Sequence, residues 1–161
     1  MEKFQELGSV AKKKIQLADH MLTVTYPMVH DAKLLLVVLQ NIFLGMSNAM
    51  GALLHYERYY KRVPVFSDNF AAKFHLFRDH AETRYNLDES YLDMVQTLRD
   101  IIVLHKKSPI EFAKKDKLVI CSENYSIKTI TPEQIKNYLN KAKLFIEEAT
   151  EIIKKDGRIS S

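Results

Sequence analysis

Glycine and proline are scarce in this chain, four of each in 161 residues, and a single cysteine, Cys121, stands alone. So few corner-forming residues argue against a sheet sandwich and for long helices. One cysteine excludes an internal disulfide and a cysteine-rich zinc site, and it gives no sign of an oxidising compartment, so a cytoplasmic setting is expected. The first eleven residues lack the unbroken apolar run of a secretory signal, because Glu2, Lys3 and Glu6 interrupt them. No Gly-rich phosphate loop occurs. None of the six histidines has an acidic residue three positions before it, which excludes the Glu-x-x-His pairs of a di-iron bundle. His75 and His80, near Asp79 and Glu82, fall about 140° apart on a helix and make a poor ligand set. Cys121 has no base beside it in sequence. No metal, no cofactor and no known catalytic triad are expected.

What is present is a chain that is 47% hydrophobic and of the size of one domain, residues 1–161. Lys and Arg number 24 against 20 Asp and Glu, a net charge of +4, an excess that tolerates a polyanion. Apolar residues recur at three-and-four spacing in five stretches. A first helix is expected over 3–25, through Phe4, Leu7, Val10, Ala11, Ile15, Ala18 and Leu22, stopped or kinked by Pro27. A second should run over 31–62, closed by Pro64. Ser67 is the expected N-cap of a third, through Phe70, Phe74, Phe77 and Ala81 and ending near Arg84. Asn86 with Glu89 resembles a capping box for a fourth, with Tyr91, Val95, Leu98 and Ile102 inward and Pro109 ending it by Ser108. The β-rich runs Leu118-Val119-Ile120 and Tyr125-Ser126-Ile127, joined by Ser122-Glu123-Asn124, read as a short hairpin. Thr131-Pro132-Glu133-Gln134 opens a last helix, lined by Ile135, Leu139, Ala142, Ile146, Ala149 and Ile153 and ended by Gly157. The fold class is therefore all-α: an antiparallel four- to five-helix up-and-down bundle with a short β-hairpin inserted before the last helix.

Residues 34–54 carry no charge, and that length could span a bilayer. Gln40, Asn41, Ser47 and Asn48 fall near a seven-residue period and make a semi-polar stripe, which reads as the central helix of a bundle with no membrane. Gly45, Ala49 and Ala52 permit another helix, from the same chain or a second copy, to come close.

One segment has no packing explanation. Arg99 and Asp100 stand directly before Ile101-Ile102-Val103-Leu104-His105, in a helix that buries Tyr91, Val95 and Leu98. Arginine, five residues, then histidine, late in the fourth helix of a bundle, resembles the HEPN (higher eukaryotes and prokaryotes nucleotide-binding) superfamily. Its motif is Arg, four to six residues, then His, often with a polar residue after Arg. Arg99 is the only arginine here with a histidine in that window. The likeness extends over residues 3–153, including the small-and-apolar segment Ser47-Asn48-Ala49-Met50-Gly51-Ala52-Leu53-Leu54.

The resemblance implies a homodimer that cleaves RNA without metal. Arg99 holds the scissile phosphate and His105 moves the proton, its ordinary pKa lying near neutrality. Asp100 orients either of them, and Lys106 and Lys107 flank the RNA groove. Six positions along a helix separate Arg99 from His105 by about 9 Å and about 120°. One chain brings them together poorly, and the resemblance implies that two copies face their motifs across a two-fold axis. A minimal nucleotidyltransferase antitoxin is the partner the resemblance implies. Asp100 stands where nuclease members often have Asn, and an anion there suits a non-catalytic dimerisation, nucleotide- or partner-binding module instead. Read from the residues alone, Arg99 and Asp100 form an exposed ion pair and His105 caps the helix end.

Overall fold

The computed structural model describes residues 2–107, 110–114, 116–121 and 127–160. Helix α1 spans Lys3–His20 and turns Ala11, Ile15 and Ala18 inward. Its start is closed by Glu2, whose backbone N–H donates to Gln5 Oε1 at 3.1 Å. The helix does not stop at Pro27. A π turn over Met21–Thr25 leads into α2, Tyr26–Val29, and helical backbone ends at His30, where φ is 50°. Proline donates no hydrogen bond and its ring crowds the carbonyl four residues back; here that carbonyl, of Thr23, lies within the wider π turn.

Helix α3, Lys33–Tyr59, is the spine. It ends before Arg62, and Pro64 is not what ends it. Lys61 adopts φ 59° and the Arg62 N–H reaches back to the Glu57 carbonyl at 2.9 Å, a left-handed C-terminal closure. Leu35, Leu39, Ile42, Met46, Met50 and Leu53 have no exposure, each contributing about 1.5–3 kcal/mol by burial. The close approach expected at Gly45 is taken by α1 of the same chain: a Cβ there would lie 2.8 Å from Ile15 Cδ1. Among the described residues α3 is the one helix long and apolar enough to cross a membrane by length and composition, and 67% of that window is buried inside the bundle. The polar stripe divides. Asn41 and Ser47 are buried, and Asn41 donates to the Val37 carbonyl at 2.9 Å; half-buried Asn48 donates to Leu44 in the same way.

The third helical stretch is α4, Phe70–Leu76, a π turn over Phe77–Ala81, and α5, Glu82–Tyr85. Its N-cap is Asn69, not Ser67. Asn69 Oδ1 accepts from the Ala72 N–H at 2.8 Å, and the Ser67 hydroxyl is occupied by the Asn69 side-chain amide. A similar correction falls at α6, Glu89–Lys107. Asn86 has φ 53°, a conformation that ends α5, and Asp88 caps α6 by accepting from the Ser90 N–H at 2.8 Å. Helix α6 buries Tyr91, Leu92, Met94, Val95, Leu98 and Ile101, while Ile102 is only half-buried. Ser108 and Pro109 lie outside the described residues.

The hairpin is part of a three-stranded antiparallel sheet, β1 (Ile110–Lys114), β2 (Lys117–Cys121) and β3 (Ile127–Ile130) in that order. Leu118 pairs with Ile130 and Cys121 with both Ile110 and Ile127. Residues 122–126, the expected turn and the start of its second strand, lie outside the described residues. Leu118, Ile120 and Ile130 join the main core. Helix α7, Pro132–Ser160, starts with the expected capping box: the Thr131 N–H donates to Gln134 Oε1 at 3.0 Å and the Gln134 N–H to Thr131 Oγ1 at 3.2 Å. It runs through Gly157. A helical glycine costs about 1 kcal/mol.

Candidate functional site

Helix α6 carries the Arg99 motif on its second half. Arg99 is half-buried, and its guanidinium lies 4.5 Å over the ring of Phe70, at the start of α4. Phe70 packs on Phe43 of α3 and Phe74, with centroids 5.3 and 5.4 Å apart, so the cation rests on a fixed aromatic shelf. Asp100 is exposed and accepts from Gln96 Nε2 at 2.8 Å, one helical turn back. The two adjacent residues therefore take different partners, which replaces the ion pair expected from the residues alone. His105 is half-buried in the last turn, followed by exposed Lys106 and Lys107. A groove of about 280 Å³ beside the helix is lined by Thr97, Asp100, Ile101, Leu104 and Lys128. Lys128 comes from β3, so the sheet adds a cation to the motif's neighbourhood that its distance in sequence conceals.

A denser charged cluster joins the C-terminal end of α3 to α5 and to the end of α7. Glu57 has no solvent exposure. Its carboxylate receives Arg62 at 3.2 Å, Arg84 at 3.3 Å, His80 Nε2 at 3.3 Å and the Tyr85 hydroxyl. Asp156 shares the same arginines, Arg62 at 2.9 Å and Arg84 at 3.4 Å, and accepts from the Tyr56 hydroxyl at 2.6 Å. Two carboxylates face two guanidiniums. The Tyr56 hydrogen bond and then the arginine charges hold Asp156 below the usual carboxylate range, against burial. Tyr56 moves the other way, its pKa raised by burial and by the Asp156 carboxylate. The arrangement can clamp three elements together, and its groups are consumed by one another.

Sequence reading missed this cluster. Glu57 is the only acidic residue between Asp31 and Asp68 and directly follows the uncharged spine, which was a usable signal. Arg62 is five positions on, but the other partners are 23 to 28 residues away, and Asp156 is about a hundred away from Tyr56. No local spacing announces them. His80, grouped by sequence with His75, Asp79 and Glu82, is turned to Glu57. Among the described residues no three His, Cys, Asp or Glu side chains converge as metal ligands would. Cys121 is half-buried at the end of the central strand. Comparison with protein families, with curated proteins and with solved structures finds no match.

Proposed function

We propose that the chain is a HEPN-like, cytoplasmic endoribonuclease that works as a homodimer and needs no metal. The observation that carries this reading is the layout of α6. A partly exposed guanidinium is held on Phe70, a half-buried imidazole follows six positions later, and exposed Lys106 and Lys107 end the helix. Arg99 binds the scissile phosphate and offsets its developing charge, while His105 moves a proton between the ribose 2′-hydroxyl and the leaving 5′-oxygen. The rise of about 9 Å between the two positions on α6 calls for a second copy to bring a guanidinium and an imidazole to one phosphate. RNA is the polyanion that Lys106, Lys107 and Lys128 suit. A nucleotidyltransferase antitoxin is the partner proposed with it.

A second reading is favoured by Asp100 and Phe70. The exposed carboxylate lies beside the phosphate position, and the aromatic shelf restrains Arg99, which fits a non-catalytic dimerisation or partner-binding module. Incubation of purified protein with mixed RNAs, with and without EDTA, separates the two. Cleavage in EDTA, reduced about 10²- to 10⁴-fold in His105→Ala and strongly in Arg99→Ala with both variants folded, supports the nuclease. Intact RNA in every condition leaves the binding module.

A further inference from the structure

A second surface, remote from α6 in its lining residues, combines cations with an exposed aromatic ring. Between the start of α1 and the end of α7 lies an open groove of about 330 Å³ lined by Phe4, Gln5, Gly8, Ser9, Lys12, Thr150, Ile153 and Lys154. Lys12 and Lys154 are exposed on opposite helices, and no carboxylate lines the groove. Phe4, on its wall, meets Tyr59 edge-on at 5.8 Å and Tyr56 at 5.2 Å. Tyr59, on the last turn of α3, is 54% exposed, and its ring also meets that of Tyr60 at 5.0 Å. Lys61, also exposed, follows it in the left-handed turn. Glu57 and Asp156, which meet Tyr85 and Tyr56, are engaged by Arg62 and Arg84. Lys12 and Thr150 also line the neighbouring groove toward Ile15, whose walls carry Asp19, Glu147 and Glu151 beside Lys143, so an anion is better received toward the Phe4 end.

We propose that this groove and Tyr59 bind a single-stranded nucleic-acid segment, a phosphate between Lys12 and Lys154 and a base stacked on the Tyr59 ring. Ammonium groups tracking a backbone beside an aromatic platform are what single strands require, because every base offers a flat face and every linkage a charge. A duplex keeps its bases stacked on one another and cannot use the ring. The groove on α6 is not involved, so this binding stands or falls apart from the cleavage reading.

Gly8 supplies a clean probe. A Cβ built there meets nothing within 4 Å, so Gly8→Gln fills the groove without displacing a neighbour and suits the helix better than glycine does. Fluorescence anisotropy of labelled twelve-nucleotide RNA and DNA of mixed sequence, single-stranded and duplex, provides the readout. Single strands are expected to bind the wild-type chain, with affinity falling about five- to tenfold between about 50 and about 200 mM salt. Tyr59→Ala weakens them about tenfold while Tyr59→Phe retains binding. Gly8→Gln and Lys154→Glu weaken them with unchanged thermal unfolding. A preference between RNA and DNA identifies the natural strand. The proposal is overturned by no binding, by equal binding of the duplexes, or by binding that survives both Tyr59→Ala and Gly8→Gln.

Discussion

Along α6, Arg99 rests on the Phe70 ring, and exposed Asp100 accepts from Gln96. At the end of α3, Glu57 has no exposure and gathers two arginines, a histidine and a tyrosine, while Asp156 binds the same arginines from the other side. Both regions concentrate charge against an apolar core, yet their chemistry differs. A buried, mutually satisfied cluster has its stakes in stability, because removing one member strands the others in a low-dielectric setting. A partly exposed pair on a helix face costs little to alter and keeps its groups available to an incoming anion. Dense charged contacts thus mark the clamp at Glu57, and sparser engagement marks the proposed site on α6.

The contrast can be broken by substitution. Glu57→Ala leaves Arg62, Arg84, His80 and Tyr85 facing an empty position and is expected to cost about 3–5 kcal/mol in chemical denaturation. A loss below about 1 kcal/mol would show that the cluster clamps nothing. Acid sharpens the comparison next. Asp156 has a folded-state pKa below its unfolded value, so its stabilisation is full above the ordinary carboxylate range and disappears as pH falls through the folded value. Thermal unfolding of the wild type should therefore decline below about pH 4, and Asp156→Asn should flatten that decline. At the alkaline side the sign reverses. The raised pKa of Tyr56 means that its protonated form belongs to the fold, so its contribution is full below about pH 10 and is lost above it; Tyr56→Phe should remove that alkaline dependence. The smallest effect is expected on α6. Arg99→Ala gives up a cation–π contact and should cost about 0.5–1 kcal/mol, read from the same denaturation curves. A cost matching that of Glu57→Ala would make Arg99 a structural residue.

Much of the bundle is legible in the residue order because helical period, capping chemistry and chain length act locally. The capping box at Thr131 and Gln134 forms as its spacing requires. Where neighbouring residues competed for one role, order alone did not decide. Asn69 outdid Ser67 as a cap, and Asp88 outdid Asn86, because the winning side chain is the one next to the first helical residue. The turn before Pro27 and the helix end at Lys61 depend on backbone states that several residue types can adopt. The third strand, β1, is made by pairing with β2, a contact that its own sequence does not advertise. On α6 the Arg99-to-His105 spacing is visible directly, whereas Phe70 under Arg99 and Lys128 beside Asp100 are brought there by other elements. The Glu57 cluster is the extreme case, assembled from α3, the α4–α5 stretch and α7, with no motif to betray it.

Two inactive variants test the proposed shared site most directly. In the proposed dimer, Arg99→Ala and His105→Ala chains refolded together would give about half mixed pairs, each keeping one intact arrangement of Arg99 and His105 across the two-fold axis. RNA cleavage in EDTA should then recover to about a quarter of the wild-type rate. If the wild type cleaves and the mixture stays as inactive as either variant alone, both groups act from one chain and the shared site is wrong.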